Sequence, residues 1–562
     1  MEEIDKDVMQ LRRWYPQTLF PAFWVLLIVG AMPYVFDGKR PSAAHGERQE
    51  TELLPSASVD KSKDIALMTS RPPRSFSELI NDPKYRKTKI AYQVQRLSDQ
   101  NVLAQKNAQQ PQTLLRAADL VIAASAMSIL KPEYRFRTRY LIDGRLRGGT
   151  LWGNLVVKGY GDPTIDNIRL GRIANSLYLS GIEKITGALI FDHFYFQTGE
   201  YTAGEAPETK TSLYLDAEAA PPPTNQSATK GIVPLKTAPA ETEHSHVFHA
   251  SGLSFNHNLA RVNLHAEPLL DEAQVRISPD VGYVHLSGAV ETRAFPRNIV
   301  SFPTYAPDGI HVQVSGAIKK DGPSHVILLK IKRPELYFGK AFYKAMVARG
   351  VDVRQKLLFK EATGTLHRFI NDYSPPIHEI AQHLLFTGIP EERFHVRQTL
   401  LHHMAVETMG SATTQSAGVL AVLNFLQDEV NIPATVSLLP PEQRLIRRAR
   451  LSPGQLVKLL QYMAGEFESS AEFLSLVRNP NYSRIHELRN FPPQLERFSR
   501  IFTDEDREQS VMAGYLSQPH DASLAFALFI KNEDLSPQET WELQRSFLEM
   551  LTTYSPSKAQ TQ

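Results

Sequence analysis

The residues best suited to chemistry by type and spacing are serines followed three positions later by a lysine. Ser128 and Lys131 are such a pair at the end of a mostly apolar segment, and other copies begin at Ser58, Ser227 and Ser555. On a helix this spacing puts both side chains on one face, where the amine can take the proton of the serine and make it a nucleophile. The other three copies lie in polar stretches, and we interpret them as chance matches.

Other candidate groups are weaker. Thr503 and Ser510 are possible nucleophiles, but neither has a lysine or histidine beside it in the sequence, so a catalytic role needs a tertiary contact. The histidines of EHSHVFH (His244, His246 and His249) lie in a polar stretch without a second ligand cluster. We interpret them, and the pair His402-His403, as structural or surface histidines, and predict no metal and no cofactor.

Composition excludes several classes of function. The chain has no cysteine, which rules out disulfides, cysteine nucleophiles, iron–sulfur clusters and cysteine-ligated zinc. Its 62 Lys and Arg against 60 Asp and Glu leave a net charge of +2, too little for a nucleic-acid-binding protein. With 42% hydrophobic and 22% charged residues, the 562-residue chain has the composition of a globular protein, long enough for about three to four domains.

The N-terminus predicts export. Residues 18–36 contain no charge and follow Arg12 and Arg13, which is typical of a transmembrane helix with residues 1–17 in the cytoplasm. The alternative is a cleaved signal peptide, since small residues surround Gly30. In both interpretations the rest of the chain lies on the periplasmic or extracytoplasmic side, beginning with a polar tether at 37–74.

Strands and helices are predicted at both ends of the exported part. Alternating apolar residues at 90–94, a turn at 98–101 and a second apolar run from Val102 predict a hairpin, and residues 113–130 predict an apolar helix. Leu524, Phe526, Leu528 and Ile530 predict one face of a strand. Ser536 to Glu539 form a capping box that opens a further helix.

Seven segments in a fixed order resemble one family, the D-alanyl-D-alanine carboxypeptidase/endopeptidases, or class C low-molecular-mass penicillin-binding proteins. The segments are IAYQVQRLSDQNVLAQKNAQQP (90–111), PEYRFRTRYLIDG (132–144), GNLVVKGYGDPT (153–164), SGIEKITGALIFDHFYF (180–196), GLSFNHNLARVNL (252–264), SPPIHEI (374–380) and MAGYLSQPHDASLAFALFI (512–530). The resemblance covers about residues 75–552.

The resemblance implies an α/β (α+β) fold of the serine β-lactamase and DD-peptidase type with a large inserted region. The peptidase-like domain would comprise residues 75–138 and 366–552, and residues 139–365 would be inserted, with a polar excursion at 203–246. Residues 553–562 would form a tail. The family's chemistry uses three motifs, Ser-x-x-Lys, Ser-x-Asn and Lys-Thr-Gly.

Counting from the neighbouring segments, all three motifs are substituted here. The serine and lysine positions fall on Arg116 and Asp119, the second motif falls on Gly388, Ile389 and Pro390, and the third on Phe502, Thr503 and Asp504. An arginine cannot act as a nucleophile near neutral pH, and an aspartate reverses the charge of the base. The acidic run 504–506 opposes binding of a substrate carboxylate, or is simply a solvated loop.

We therefore predict an exported, membrane-anchored homologue without catalytic activity, which binds or scaffolds at the bacterial cell wall. Its partner would be a peptidoglycan stem peptide or an envelope protein. The alternative is an active serine carboxypeptidase of peptidoglycan metabolism that uses Ser128 and Lys131, and a third possibility is a cleft rebuilt around Arg116 for a small ligand. Arg116 and Asp119, at i and i+3, either neutralise each other or reach solvent at a frayed helix start.

Overall fold

The computed structural model describes residues 76–80, 82–196, 251–267, 270–295, 297–353, 357–410, 415–433, 449–477, 499–506, 508–517, 523–531 and 535–553. The chain divides into two compact units, 1–70 and 71–562, and the described residues all belong to the second. The predicted anchor, tether and excursion and nearly all of the tail lie outside them. Within the described residues, no helix has the length and apolarity needed to cross a membrane.

The helices and strands are numbered in chain order. The α-helices are α1 (Phe76–Ile80), α2 (Ala117–Leu130), α3 (Asn167–Leu179), α4 (Pro334–Ala348), α5 (Ile377–Phe386), α6 (Pro390–Met409), α7 (Gln415–Asp428), α8 (Pro453–Gly465), α9 (Ser470–Leu476) and α10 (Pro537–Thr553). The strands are β1 (Lys89–Arg96), β2 (Val102–Lys106), β3 (Gln112–Thr113), β4 (Arg137–Arg147), β5 (Thr150–Gly159), β6 (Lys184–Ile185), β7 (Leu189–Asp192), β8 (Leu259–His265), β9 (Gln274–Ser278), β10 (Val284–Gly288), β11 (Glu291–Arg293), β12 (Arg297–Ala306), β13 (Gly309–Lys319), β14 (His325–Lys330), β15 (Asp352–Val353), β16 (Leu357–Phe359), β17 (His367–Tyr373), β18 (Arg450–Leu451), β19 (Ser499–Glu505), β20 (Gln509–Leu516) and β21 (Leu524–Lys531).

An antiparallel five-stranded sheet joins the two ends of the described chain in the order β19-β20-β21-β1-β2. Because side chains alternate along a strand, β21 contributes to two cores. The predicted stripe Leu524, Phe526, Leu528 and Ile530 packs with α1 and α10, which confirms that prediction. Ala525, Ala527 and Phe529 pack on the other face against α2 and α8. The sheet is thus covered by helices on both sides.

The predicted hairpin and capping box are confirmed, and one helix boundary is corrected. β1 and β2 pair as an antiparallel hairpin, and the Ser536 hydroxyl accepts a hydrogen bond from the Glu539 amide at the start of α10. The helix predicted from residue 113 begins at Ala117, because Gln112–Thr113 form β3, which pairs with β18. Leu115 has a φ of 49°, a backbone conformation that cannot continue a helix.

Residues between the two halves of this sheet build a second core. A seven-stranded sheet contains β15-β6-β5-β4-β17 with β7 and β16, and smaller sheets contain β14-β8-β9 and β10-β13-β11 with β12. Their inner faces pack with α3 and α4 around Tyr140, Phe191 and Tyr337, which are completely buried.

Two helical glycines are expected to respond oppositely to alanine. A Cβ at Gly171 in α3 meets nothing within 4 Å, whereas a Cβ at Gly418 in α7 would lie 2.2 Å from the carbonyl oxygen of Leu401 in α6. Gly171→Ala is expected to raise the free energy of unfolding by about 0.5–1 kcal/mol through helix propensity. Gly418→Ala is expected to lower it by about 1–3 kcal/mol because α6 and α7 must separate. Chemical denaturation of the two variants measures both changes, and a stabilised Gly418→Ala would contradict the close packing.

Candidate functional site

Arg116 stands at the N-terminus of α2 and is held from two other elements. Its backbone N–H donates to Asp504 Oδ2 of β19 over 3.0 Å, and its guanidinium Nη1 lies 3.8 Å from Asp504 Oδ1. Its Nη2 donates to the carbonyl oxygen of Leu385 in α5. The residue therefore connects the start of α2 to β19 and to the end of α5.

Asp119, in the first turn of α2, is completely buried and forms a two-pronged ion pair with Arg397 of α6. The Arg397 Nε–Asp119 Oδ1 distance is 2.6 Å and the Nη2–Oδ2 distance is 3.1 Å. Neither expectation for Arg116 and Asp119 is therefore correct: each takes a partner from another element, and Asp119 does not reach solvent. A buried carboxylate needs such a partner to stay charged.

The Gly388 to Pro390 segment is the short connection between α5 and α6. Arg393, in the first turn of α6, donates from Nη1 to the carbonyl oxygen of Thr387 over 2.8 Å. Burial and the positive charge of Arg116 lower the pKa of the Arg393 guanidinium to about 10. Arg393 also interacts electrostatically with Asp119, Arg397 and Asp504, so α2, β19 and this connection meet in one network of alternating charges.

The third substituted motif, Phe502 to Asp504, lies on β19. The interpretation of the acidic run 504–506 as a solvated loop is therefore wrong for Asp504. Asp504 is in the strand with a side chain only 16% exposed, and burial raises its pKa although the Arg116 amide and guanidinium act in the opposite direction. Glu505 and Asp506 are exposed. Phe502 is buried in the core beside α2. Strand alternation puts Thr503 on the opposite face from Asp504.

Ser128 and Lys131 lie at the other end of α2, and Ser128 is twelve residues or about 18 Å along the axis from Arg116. The Lys131 Nζ is 2.8 Å from Glu468 Oε2, and its side chain is 57% exposed. A hydrogen bond from Lys131 to Glu468 raises the pKa of the amine, although burial acts against it. A lysine base needs a lowered pKa, so this environment is unfavourable for the alternative nucleophile.

The hydroxyl of Ser510, another candidate nucleophile, also lies away from Arg116. Ser510, in β20, is buried and accepts a hydrogen bond from the Gln544 amide of α10. α10 packs on the sheet face opposite α2.

The structure brings together a group that sequence reasoning did not find: His257, His383 and Glu392. Their ligand atoms all lie within 4.8 Å of one another, so the group has the donors for a metal ion. The three residues come from the 3-10 turn Asn256–Asn258, from α5 and from α6. Only His383 and Glu392 are near in sequence, and neither spacing nor composition links them to His257.

The protonation states in this group are set by burial and by neighbouring charges. Burial is the main cause that lowers the pKa of His257, to about 4. Burial alone would raise the pKa of Glu392, but the His383 imidazole, the neighbouring His257, the Thr387 hydroxyl and the Arg261 cation lower it to about 2. At neutral pH the group therefore contains a neutral His257 and an ionised carboxylate. His402 and His403 are separate from it, buried on α6 with pKa values lowered by burial.

Comparison with known proteins finds a matching family profile and a related curated protein. The sequence profile of the D-Ala-D-Ala carboxypeptidase 3 (S13) family matches residues 74–477. The D-alanyl-D-alanine carboxypeptidase DacB of Haemophilus influenzae is 20% identical over 376 residues, which are 66% of this chain and 67% of that protein.

Solved structures share the fold. The crystal structure of penicillin binding protein 4 (dacB) from Haemophilus influenzae has a TM-score of 0.62 at 15% identity, covering 85% of this chain and 99% of that one. The same protein complexed with a novel β-lactam gives a TM-score of 0.61 over the same shares. The mixed α/β fold expected from the sequence is therefore confirmed.

Proposed function

Because this chain belongs to the D-Ala-D-Ala carboxypeptidase 3 (S13) family, we propose that it is a non-catalytic member, which binds or scaffolds at the bacterial cell wall. Its partner is a peptidoglycan stem peptide or another envelope protein. In the proposed arrangement, residues 18–36 anchor the chain in the cytoplasmic membrane and the folded part lies on the extracytoplasmic side. The observation that carries the proposal is the contact between Arg116 and Asp504.

This contact supports loss of catalysis because it involves two of the substituted motifs at once. At the proposed nucleophile position stands a guanidinium, which is already engaged by Asp504 and by the Leu385 carbonyl. At the proposed base position Asp119 is occupied by Arg397. An acyl-transfer mechanism needs a hydroxyl with a proton acceptor beside it. Arg116 and Asp119 supply neither a hydroxyl nor an amine.

Penicillin labelling tests this proposal directly. The purified full chain is incubated with a fluorescent penicillin and, separately, with a D-Ala-D-Ala pentapeptide. We expect no heat-stable label and no released D-alanine, because acylation requires a serine nucleophile. Penicillin binding protein 4 of Haemophilus influenzae, treated in parallel, is the positive control.

A covalent label on this chain would overturn the proposal. Ser128→Ala would then identify the nucleophile: loss of the label would assign the reaction to Ser128 and Lys131, and an unchanged label would assign it to another hydroxyl.

The binding half of the proposal is tested by sedimenting the chain with purified peptidoglycan. Co-sedimentation supports the stem peptide as the partner, and its absence favours an envelope protein.

A further inference from the structure

Three side chains that could bind a metal ion meet where the turn at 256–258 lies against α5 and α6. His257 lies in the 3-10 turn Asn256–Asn258, with a φ of 54°. His383 lies in the last turn of α5, and Glu392 lies in the first turn of α6. The His257 and His383 rings stack in parallel, with centroids 4.9 Å apart. Two imidazoles and a carboxylate from three separate elements thus face one another.

The distances suit a small divalent cation. Zn²⁺ binds histidine nitrogen and carboxylate oxygen at about 2.0–2.2 Å, so neighbouring ligand atoms of a tetrahedral site are about 3.3–3.5 Å apart. His383 Nε2 and Glu392 Oε2 are 3.3 Å apart. All three ligand atoms are within 4.8 Å, so a tilt of the stacked rings toward each other would complete the geometry.

One ring nitrogen of this group lacks a partner among the residues that the structure describes: His257 Nδ1 is buried from solvent and makes no hydrogen bond there. His383 Nε2 is also buried, and it faces Glu392 Oε2 over 3.3 Å, a contact that a shared cation would replace. Buried polar atoms without partners are uncommon and call for a specific explanation. A bound cation would satisfy them.

The carboxylate of the group is already oriented by outer contacts. Arg261 Nη2 donates to Glu392 Oε1 over 2.6 Å, and the Thr387 hydroxyl donates to Glu392 Oε2 over 3.0 Å. Outer contacts of this kind fix the orientation of metal ligands. The His383 side chain is 41% exposed, so a cation has a path to the group from solvent.

We propose that His257, His383 and Glu392 form a Zn²⁺-binding site that fastens the turn at 256–258 to α5 and α6. Three protein ligands leave the fourth position of a tetrahedral site open for water or another ligand. The site goes beyond the proposed function, because it requires neither catalysis nor loss of catalysis at Arg116.

The chain offers a second cluster that serves as a control. The ligand atoms of His285, Asp308 and His311 also lie within 4.8 Å of one another. The Asp308 side chain is 55% exposed, and the carboxylate already pairs with His311 over 3.1 Å. An exposed cluster of this kind binds cations weakly and nonspecifically, so we expect it to contribute little to Zn²⁺ binding by the chain.

The experiment titrates the purified full chain with Zn²⁺ by calorimetry and with Co²⁺ by visible absorption, whose intensity reports tetrahedral coordination. His244, His246 and His249 are replaced by glutamine in the background, to remove the EHSHVFH segment. We expect one tight site per chain. His257→Gln, His383→Gln and Glu392→Gln should each weaken Zn²⁺ binding at least about 100-fold, because changing outer-shell residues alone typically costs 10–100-fold.

The matched controls are His378→Gln, on α5 but outside the cluster, and His311→Gln in the exposed cluster; both should leave the tight site unchanged. Circular dichroism of the metal-free proteins reports whether each variant folds. Because His383 is partly exposed, His383→Gln keeps the test valid if His257→Gln or Glu392→Gln fails to fold. The proposal is overturned if the chain binds no Zn²⁺ tightly, if His383→Gln leaves affinity unchanged, or if only His311→Gln removes it.

Discussion

Asp119→Ala is expected to lower the free energy of unfolding by about 3–5 kcal/mol, the usual cost of removing one partner from a buried ion pair. The carboxylate is completely buried and receives two hydrogen bonds from Arg397, which is itself only 5% exposed. Without Asp119 the guanidinium stays buried and has lost its counter-charge. Urea denaturation of the variant measures the loss.

Two further variants separate this effect from a simple loss of packing. The double variant Asp119→Leu with Arg397→Met removes both charges, and it should be closer in stability to the wild type than either single variant. Glu549→Gln breaks the partly exposed Arg545–Glu549 pair of α10 and should cost only about 0.3–0.5 kcal/mol. An Asp119→Ala loss as small as that of Glu549→Gln would contradict the buried pair.

Arg169→Met is expected to be similarly damaging, again by about 3–5 kcal/mol. Arg169, in the first turn of α3, places Nη2 2.8 Å from Asp162 and 2.6 Å from Asp372 of β17. Its Nη1 also donates to the Thr164 hydroxyl over 2.6 Å. The substitution would leave two largely buried carboxylates close together without a cation.

The pH dependence of this variant gives an independent test. Burial already raises the pKa of Asp372, and Arg169 opposes that rise. Removing Arg169 should raise the pKa further in the folded state, so protonation at low pH relieves the repulsion. The stability difference between Arg169→Met and the wild type should therefore shrink from pH 8 to pH 5. Arg172, one turn along on the exposed side of α3, also lowers the pKa of Asp372 electrostatically, so Arg172→Met is the control and should show both effects at a much smaller size.

Local sequence patterns predicted the elements of the central sheet because their causes are local. The β1–β2 hairpin follows from alternation and turn residues, and the start of α10 follows from its capping box. The start of α2 was predicted four residues too early, since the pairing of β3 with β18 involves residues more than 300 positions away and has no local signal.

The site shows the same division. The family resemblance drew attention to Arg116, Asp119 and Asp504, and the structure brings Arg116 and Asp504 into contact. The resemblance could not reveal that Asp119 is paired with Arg397, 278 residues along the chain. For the acidic run 504–506 the sequence leaves two interpretations, repulsion of a substrate carboxylate or a solvated loop, and neither includes a cation that pairs with Asp504. Only the fold supplies that cation.

The position of β1 in the sheet has a consequence for biosynthesis. This strand, near the start of the folded part, lies between β2 and β21, and its whole length from Lys89 to Arg96 pairs with Leu524–Lys531. The ribosome must therefore deliver almost the entire chain before β1 obtains its second neighbour. Until then the unpaired backbone edge of β1 is open to pairing with other chains, a route to aggregation. A premature stop before β21 would leave β1 without this neighbour and would divide the central sheet.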